Sequence, residues 1–141
     1  MPQKAIIFFL KNVNYNIREK NKIRIWLERA IKIENKKLTE INYILCNDTF
    51  LLKLNKKFLK HNTLTDVISF DMAETDNSIN GEIYISIDKV KANASKYKVK
   101  IQDELHRVMI HGLLHLVGYN DFTVEEKEIM RKKEDYYLSL R

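Results

Sequence analysis

The stretch His111-Gly112-Leu113-Leu114-His115-Leu116-Val117-Gly118-Tyr119-Asn120-Asp121 decides how the rest of the chain is read. Histidines four residues apart lie on one face of a helix, near enough for two imidazoles to grip one cation. Gly118 can adopt the left-handed backbone that ends a helix, so the chain turns there. Asp121 follows three residues later as an oxygen donor. This is the spacing of metzincin-type sites. Three protein ligands with a fourth position left for water mark a catalytic zinc site rather than a closed structural one. The expectation is one zinc ion per chain, held by His111, His115 and Asp121 and used for hydrolysis.

The helix around the two histidines, Ile101–Val117, is apolar on nearly every side. Leu105, Met109, Leu113 and Leu116 cover one flank and Ile110, Leu114 and Val117 much of the other, while His111 and His115 share a narrow arc with Glu104. Such a helix is buried, and a buried imidazole needs a partner, which a shared metal supplies to both rings. His61 and His106 have no comparable support and are expected at the surface or behind the ligands.

Further out, the apolar periodicity predicts strands over residues 5–9, 41–46, 65–70 and 82–87. The turn between the last two is expected at Asp76-Asn77-Ser78 and Asn80-Gly81. Helices are expected over residues 17–33, with Trp26 packed in the core or at its rim beside Leu27 and Ala30 rather than stacked on a base, and from Asn47 or Asp48 through Leu51, Leu54 and Phe58. A further helix opens at Asp88, and the last one opens on a Thr123/Glu126 capping box. The order β-α-β-α-β-β-α-α-α implies an α+β fold, a small mixed sheet packed with about five helices, in one domain over residues 1–141.

The chain has 141 residues, one cysteine and a net charge of +6. Residues 1–60 carry +9 and residues 61–141 carry −3, an asymmetry that permits a polyanionic partner on the basic half. Cys46 sits in an apolar run and reads as a buried structural thiol. No run of residues is long and apolar enough for a membrane span or a signal peptide, and with a single cysteine no disulfide framework is possible, so the cytoplasm is the expected compartment. A zinc peptidase of the H-E-x-x-H kind carries glutamate directly after the first histidine; here that residue is Gly112, which argues against proteolysis.

The central run resembles the signature H-G-x-L-H-L-x-G-Y-D-H of the YbeY family, bacterial rRNA maturation endoribonucleases. His111, Gly112, Leu114, His115, Leu116, Gly118 and Tyr119 match it. Thr65-Asp66-Val67-Ile68-Ser69-Phe70 is similar to the family's P-T-D-V-L-S-F, and Gly81-Glu82-Ile83-Tyr84-Ile85-Ser86 to its G-D-I-x-I-S. The resemblance implies a four-stranded mixed sheet with a zincin-like metal site on a central helix. It also implies a zinc-dependent endoribonuclease selective for single strands, working on the 3′ end of small-subunit rRNA and in ribosome quality control. RNA and the small ribosomal subunit would be its partners. The alternatives are a ribosome-associated RNA-binding assembly factor with a structural metal, and a small zinc peptidase.

Three positions depart from the family pattern. Asp121 stands where the third histidine is usual, Asn120 where an aspartate is, and Leu59 where an arginine is, within Asn55-Lys56-Lys57-Phe58-Leu59-Lys60-His61-Asn62-Thr63-Leu64. Lys56, Lys57 and Lys60 are candidate RNA contacts in place of that arginine, without its bidentate fork. Asp66 is a candidate for orienting a ligand histidine, and Tyr119 either lines the pocket or packs.

Overall fold

The structure is a computed structural model and describes residues 5–59 and 65–141. Four strands form one sheet in the order β1-β2-β4-β3. They are β1 (Ile6–Leu10), β2 (Lys37–Cys46), β3 (Val67–Asp71) and β4 (Ser78–Ser86). β1, β2 and β4 run parallel, and β3 pairs antiparallel with β4 as the outer hairpin strand. The helices are α1 (Lys20–Ile33), α2 (Asp48–Leu54), α3 (Ile87–Tyr97), α4 (Ile101–Val117) and α5 (Val124–Ser139), with a π-helical turn at Asn55–Leu59 directly after α2. The mixed sheet and the five helices agree with the expectation from the sequence.

The two sheet faces are unequal. On one, Ile41, Tyr43 and Leu45 of β2 and Ile83 and Ile85 of β4 are fully buried beneath α1 and α4, with Leu27, Met109, Ile110 and Leu113 in the same cluster. Two polar groups pin this layer: Tyr43 donates its hydroxyl to the Met109 carbonyl at 3.0 Å and Trp26 donates Nε1 to the Tyr137 carbonyl at 2.6 Å. Neither polar atom is left unpaired by burial. The other face carries a smaller cluster of Cys46, Leu51 and Ile68 with Phe50, Phe70 and Tyr84. Burial, then the charges of Asp48 and Asp88, push the Cys46 thiol up to about 12, so it stays protonated and inert.

α4 lies against β3 and β4 at Gly112. A Cβ there would come within 2.7 Å of Ile83 Cγ2, 3.1 Å of Ser69 Oγ and 3.3 Å of Val67 Cγ2, and Ser69 Oγ donates to the Gly112 carbonyl at 3.0 Å. The glycine is therefore a contact surface between helix and sheet. α4 ends at Gly118, whose φ of 124° suits a residue without Cβ. α5 opens on the expected capping box, with Thr123 and Glu126 bonding each other's backbone.

Some boundaries differ from the sequence reading. Asn80 and Gly81 belong to β4 and the turn precedes them, because a Cβ at Gly81 would lie 2.4 Å from the Phe70 carbonyl oxygen: this glycine serves the close approach of two strands. β2 begins four residues earlier than the expected 41–46 and α1 begins at Lys20. Phe58 lies beyond α2 and is exposed.

Gly112→Ala gains about 1 kcal/mol of helix propensity but must open the helix–sheet contact against a β-branched methyl, a cost of about 1–3 kcal/mol. The expected outcome is a net loss of stability in urea unfolding; a variant as stable as the parent would show that α4 is not held this closely.

Candidate metal centre

His111 and His115 project from the last two turns of α4, and Asp121 reaches back from the loop after Gly118. The two Nε2 atoms are 3.0 Å apart. Asp121 Oδ2 lies 3.4 Å from His111 Nε2 and 3.5 Å from His115 Nε2. A tetrahedral zinc site with bonds near 2.0–2.1 Å has donor–donor edges of roughly 3.3 Å, so the triangle has the size of one tetrahedral face. These three residues form the one group among the described residues whose donor atoms are close enough to hold a metal ion. The side chains are 23%, 28% and 33% exposed, so water and substrate can reach the donors.

The opposite ring nitrogens explain why Nε2 points inward. His111 Nδ1 is 2.6 Å from Glu134 Oε2, and His115 Nδ1 is 2.9 Å from the Tyr119 carbonyl. Each Nδ1 faces an acceptor and so carries the ring hydrogen, which leaves each Nε2 with a lone pair. Glu134 is itself fixed: Arg107, one turn before His111 on α4, donates Nη1 to Glu134 Oε1 at 2.9 Å and Nη2 to Asp135 Oδ1 at 2.9 Å. Glu134 is buried on α5, in line with Met130 and Tyr137.

The environment sets the two rings apart. Burial pulls His111 down, but the hydrogen bond and charge of Glu134, with Asp121 and Asp66, outweigh it and raise its pKa. Burial and the neighbouring His111 lower His115, against Asp121 and the Tyr119 carbonyl. Beside the donors a cleft of about 730 Å³ is lined by Asp66, Glu104, Arg107, Arg131 and Glu134 together with His111. Burial raises the carboxyl pKa values of both Asp66 and Glu104.

The residues singled out from sequence fall into three groups. His111, His115 and Asp121 come together. Asp66 flanks His111 in the cleft, but the acceptor for the His111 ring hydrogen is Glu134. Lys56 and Lys57 are exposed on the π-helical turn, next to Phe58, which packs on Phe70 across the sheet from α4; Lys60 and His61 lie outside the described residues. His106 corrects the expectation of a surface or ligand-backing residue. It is 7% exposed, packs 5.6 Å from the Trp26 ring and accepts from Arg141 Nη1 at 2.8 Å, on another side of α4 from the donors. Burial, then the Arg141 charge, lower it to about 4 and keep it neutral. Glu134 was missed from sequence. Its signal was a carboxylate on the apolar stripe Met130–Tyr137 of α5, where an outward-facing residue would be no surprise and an inward one needs a partner.

Residues 9–140 match the family model described as Endoribonuclease YbeY. The chain is 49% identical to the Endoribonuclease YbeY of Cytophaga hutchinsonii, over 100% of this chain and 99% of that protein. It is 47% identical to the Endoribonuclease YbeY of Amoebophilus asiaticus, over 98% and 94%. The solution structure of a Thermotoga maritima protein is similar in fold, with a TM-score of 0.64 and 30% identity over 94% of this chain and 87% of that one.

Removing the negative charge behind His111 with Glu134→Gln is expected to weaken zinc binding about 10–100-fold, measured by competition with a chromophoric chelator. An unchanged affinity would mean that Glu134 does not orient the ring.

Proposed function

This chain belongs to the YbeY family of endoribonucleases, and from that premise we propose that it is a zinc-dependent enzyme cutting single-stranded ribosomal RNA. The proposed task is maturation of the 3′ end of small-subunit rRNA and ribosome quality control, on the small subunit in the cytoplasm. The observation that carries this reading is the convergence of His111, His115 and Asp121 into one triangle of donors, with both Nδ1 atoms already committed elsewhere.

These residues fit zinc by chemistry as well as by size, since two neutral imidazoles and a carboxylate are a borderline-soft donor set with room for one more ligand. A zinc ion there would supply Lewis acidity, easing loss of a proton from water and polarising a phosphoryl oxygen. The chain's own contribution is orientation. Glu134 and the Tyr119 carbonyl fix the tautomers, Arg107 fixes Glu134, and Asp121 adds a negative charge where the family pattern has a neutral ring. Lys56, Lys57 and Lys60 are the proposed phosphate contacts. Lys57 sits 5.2 Å from the centre of the exposed Phe58 ring, a pairing of cation and aromatic face suited to single-stranded nucleic acid. An RNA strand that meets Lys56, Lys57 and the metal donors would pass around the outer edge of the sheet at β3.

Two competing readings are weaker on physical grounds. A structural metal in an assembly factor is normally closed off by four protein ligands, whereas the three donors here are partly exposed. A peptidase base next to His111 has no space, since even a Cβ at Gly112 overlaps the sheet. No helix among the described residues is long and apolar enough to cross a membrane.

Purified protein should cut a single-stranded RNA carrying the 3′ end of small-subunit rRNA, spare its duplex form, and stop on addition of chelator. His111→Ala is expected to lose at least about 100-fold in rate. RNA binding without cleavage would favour the assembly factor, metal-dependent casein hydrolysis would favour the peptidase, and cutting that survives in His111→Ala would remove the proposed role of the site.

A further inference from the structure

Glu34 caps the C-terminal end of α1, and its carboxylate is turned inward between the end of α4 and the middle of α5. Its side chain is only 8% exposed. Three donors from two other elements meet it: Tyr119 donates its hydroxyl to Oε1 at 2.7 Å, Lys133 donates Nζ to Oε2 at 3.0 Å, and the Tyr137 hydroxyl also donates to Oε2. Burial by itself pushes this carboxyl up, but the hydrogen bonds from Tyr137, Tyr119 and Lys133 and the Lys133 charge outweigh it and hold it below the usual range, so Glu34 is an anion. Burial and the same carboxylate raise the Tyr119 phenol, which keeps its proton for donation.

Tyr119 has two ends. Its hydroxyl is tied to Glu34, and its ring packs under Lys133, whose Nζ is 5.3 Å from the ring centre. Its backbone is the turn after α4: the amide bonds the Leu114 carbonyl at 3.0 Å, and the carbonyl accepts the His115 Nδ1 hydrogen at 2.9 Å. Asp121 lies two residues further along the same short segment. Tyr119 is thus held at both ends, by the Leu114 carbonyl at its amide and by Glu34 at its phenol. His111 has a carboxylate directly behind it, whereas His115 has a backbone carbonyl that is itself steered from a distance.

We propose that Glu34 is a positioning residue for His115, acting through the phenol and carbonyl of Tyr119 to aim the His115 Nε2 lone pair at the metal. This rests on the metal site proposed above. Glu34 does not touch the donors; it anchors the loop that orients one of them and supplies another. The end of α1 is thereby fastened to the turn after α4 and to α5, which already meets α4 through Glu134 and His111.

The test is a double-mutant cycle on the full chain, read as zinc affinity by chelator competition and as the melting temperature of the metal-free protein. Glu34→Ala and Tyr119→Phe are each expected to weaken zinc binding about tenfold, and the double variant about as much as either alone, because both break one chain of contacts. Glu34→Gln, which keeps the shape and a weaker acceptor, should lie between wild type and Glu34→Ala and serves if the alanine variant does not fold. Full additivity would point to a direct effect of the Glu34 charge and overturn the proposal. So would a lowered melting temperature with unchanged affinity, the signature of a purely structural residue. If wild type itself binds no zinc, the metal reading fails first; if wild type binds and the variants bind equally well, only the role of Glu34 fails.

Discussion

Two imidazole nitrogens face each other at 3.0 Å with their ring hydrogens committed on the far side. Neutral rings in that arrangement repel, because each presents a lone pair to the other, and a carboxylate oxygen beside them adds more negative charge. Only a cation in the space between them, whether a proton or a metal ion, turns the repulsion into attraction. The fold fixes both rings: a buried glutamate, itself held by an arginine, bonds one, and a turn carbonyl bonds the other. Preorganisation of this kind is what lets a site bind a metal without rearranging.

The rigidity behind it comes from α4. The helix is buried among α1, α3 and the sheet and is pressed onto β3 and β4 at Gly112, one residue from His111. That contact fixes the axial position of His111, and the 3.6-residue repeat then fixes His115 one turn on. The same contact accounts for a chemical difference from zinc peptidases. A glutamate in place of Gly112 would have to occupy volume held by Ile83, Ser69 and Val67, so proton transfer by a base at that position is closed to this scaffold. The departure of Asp121 from the more usual histidine is absorbed at the site, since a carboxylate oxygen completes the triangle at nearly equal distances from both rings.

Much of this could be read from the chain alone because it is local. His111, His115 and Gly118 sit within a span where helical geometry dictates spacing, and Thr123 with Glu126 announces the next helix by a hydrogen-bond pattern four residues long. The four strands were recognisable from their β-branched and aromatic runs. What escaped depends on how elements meet. Glu134 lies 23 residues beyond His111 and Glu34 lies 85 residues before Tyr119, and nothing in their immediate neighbours states which helix they will face. Glycine after asparagine commonly marks a turn, but Gly81 stands where it does because of the neighbouring strand's Phe70 carbonyl, which no local window contains. No spacing motif includes His106, so the sequence places it at the surface or behind the donors, while here the Trp26 ring of α1 packs against it and it is buried.

The most direct measurement is zinc titration of metal-free protein by calorimetry, comparing wild type with Asp121→Ala. The expected result is one ion per wild-type chain, and an affinity at least about tenfold weaker once the third donor is gone. Equal binding by the two proteins, or a stoichiometry that does not change when both His111 and His115 are replaced, would contradict a metal centre built from these three side chains.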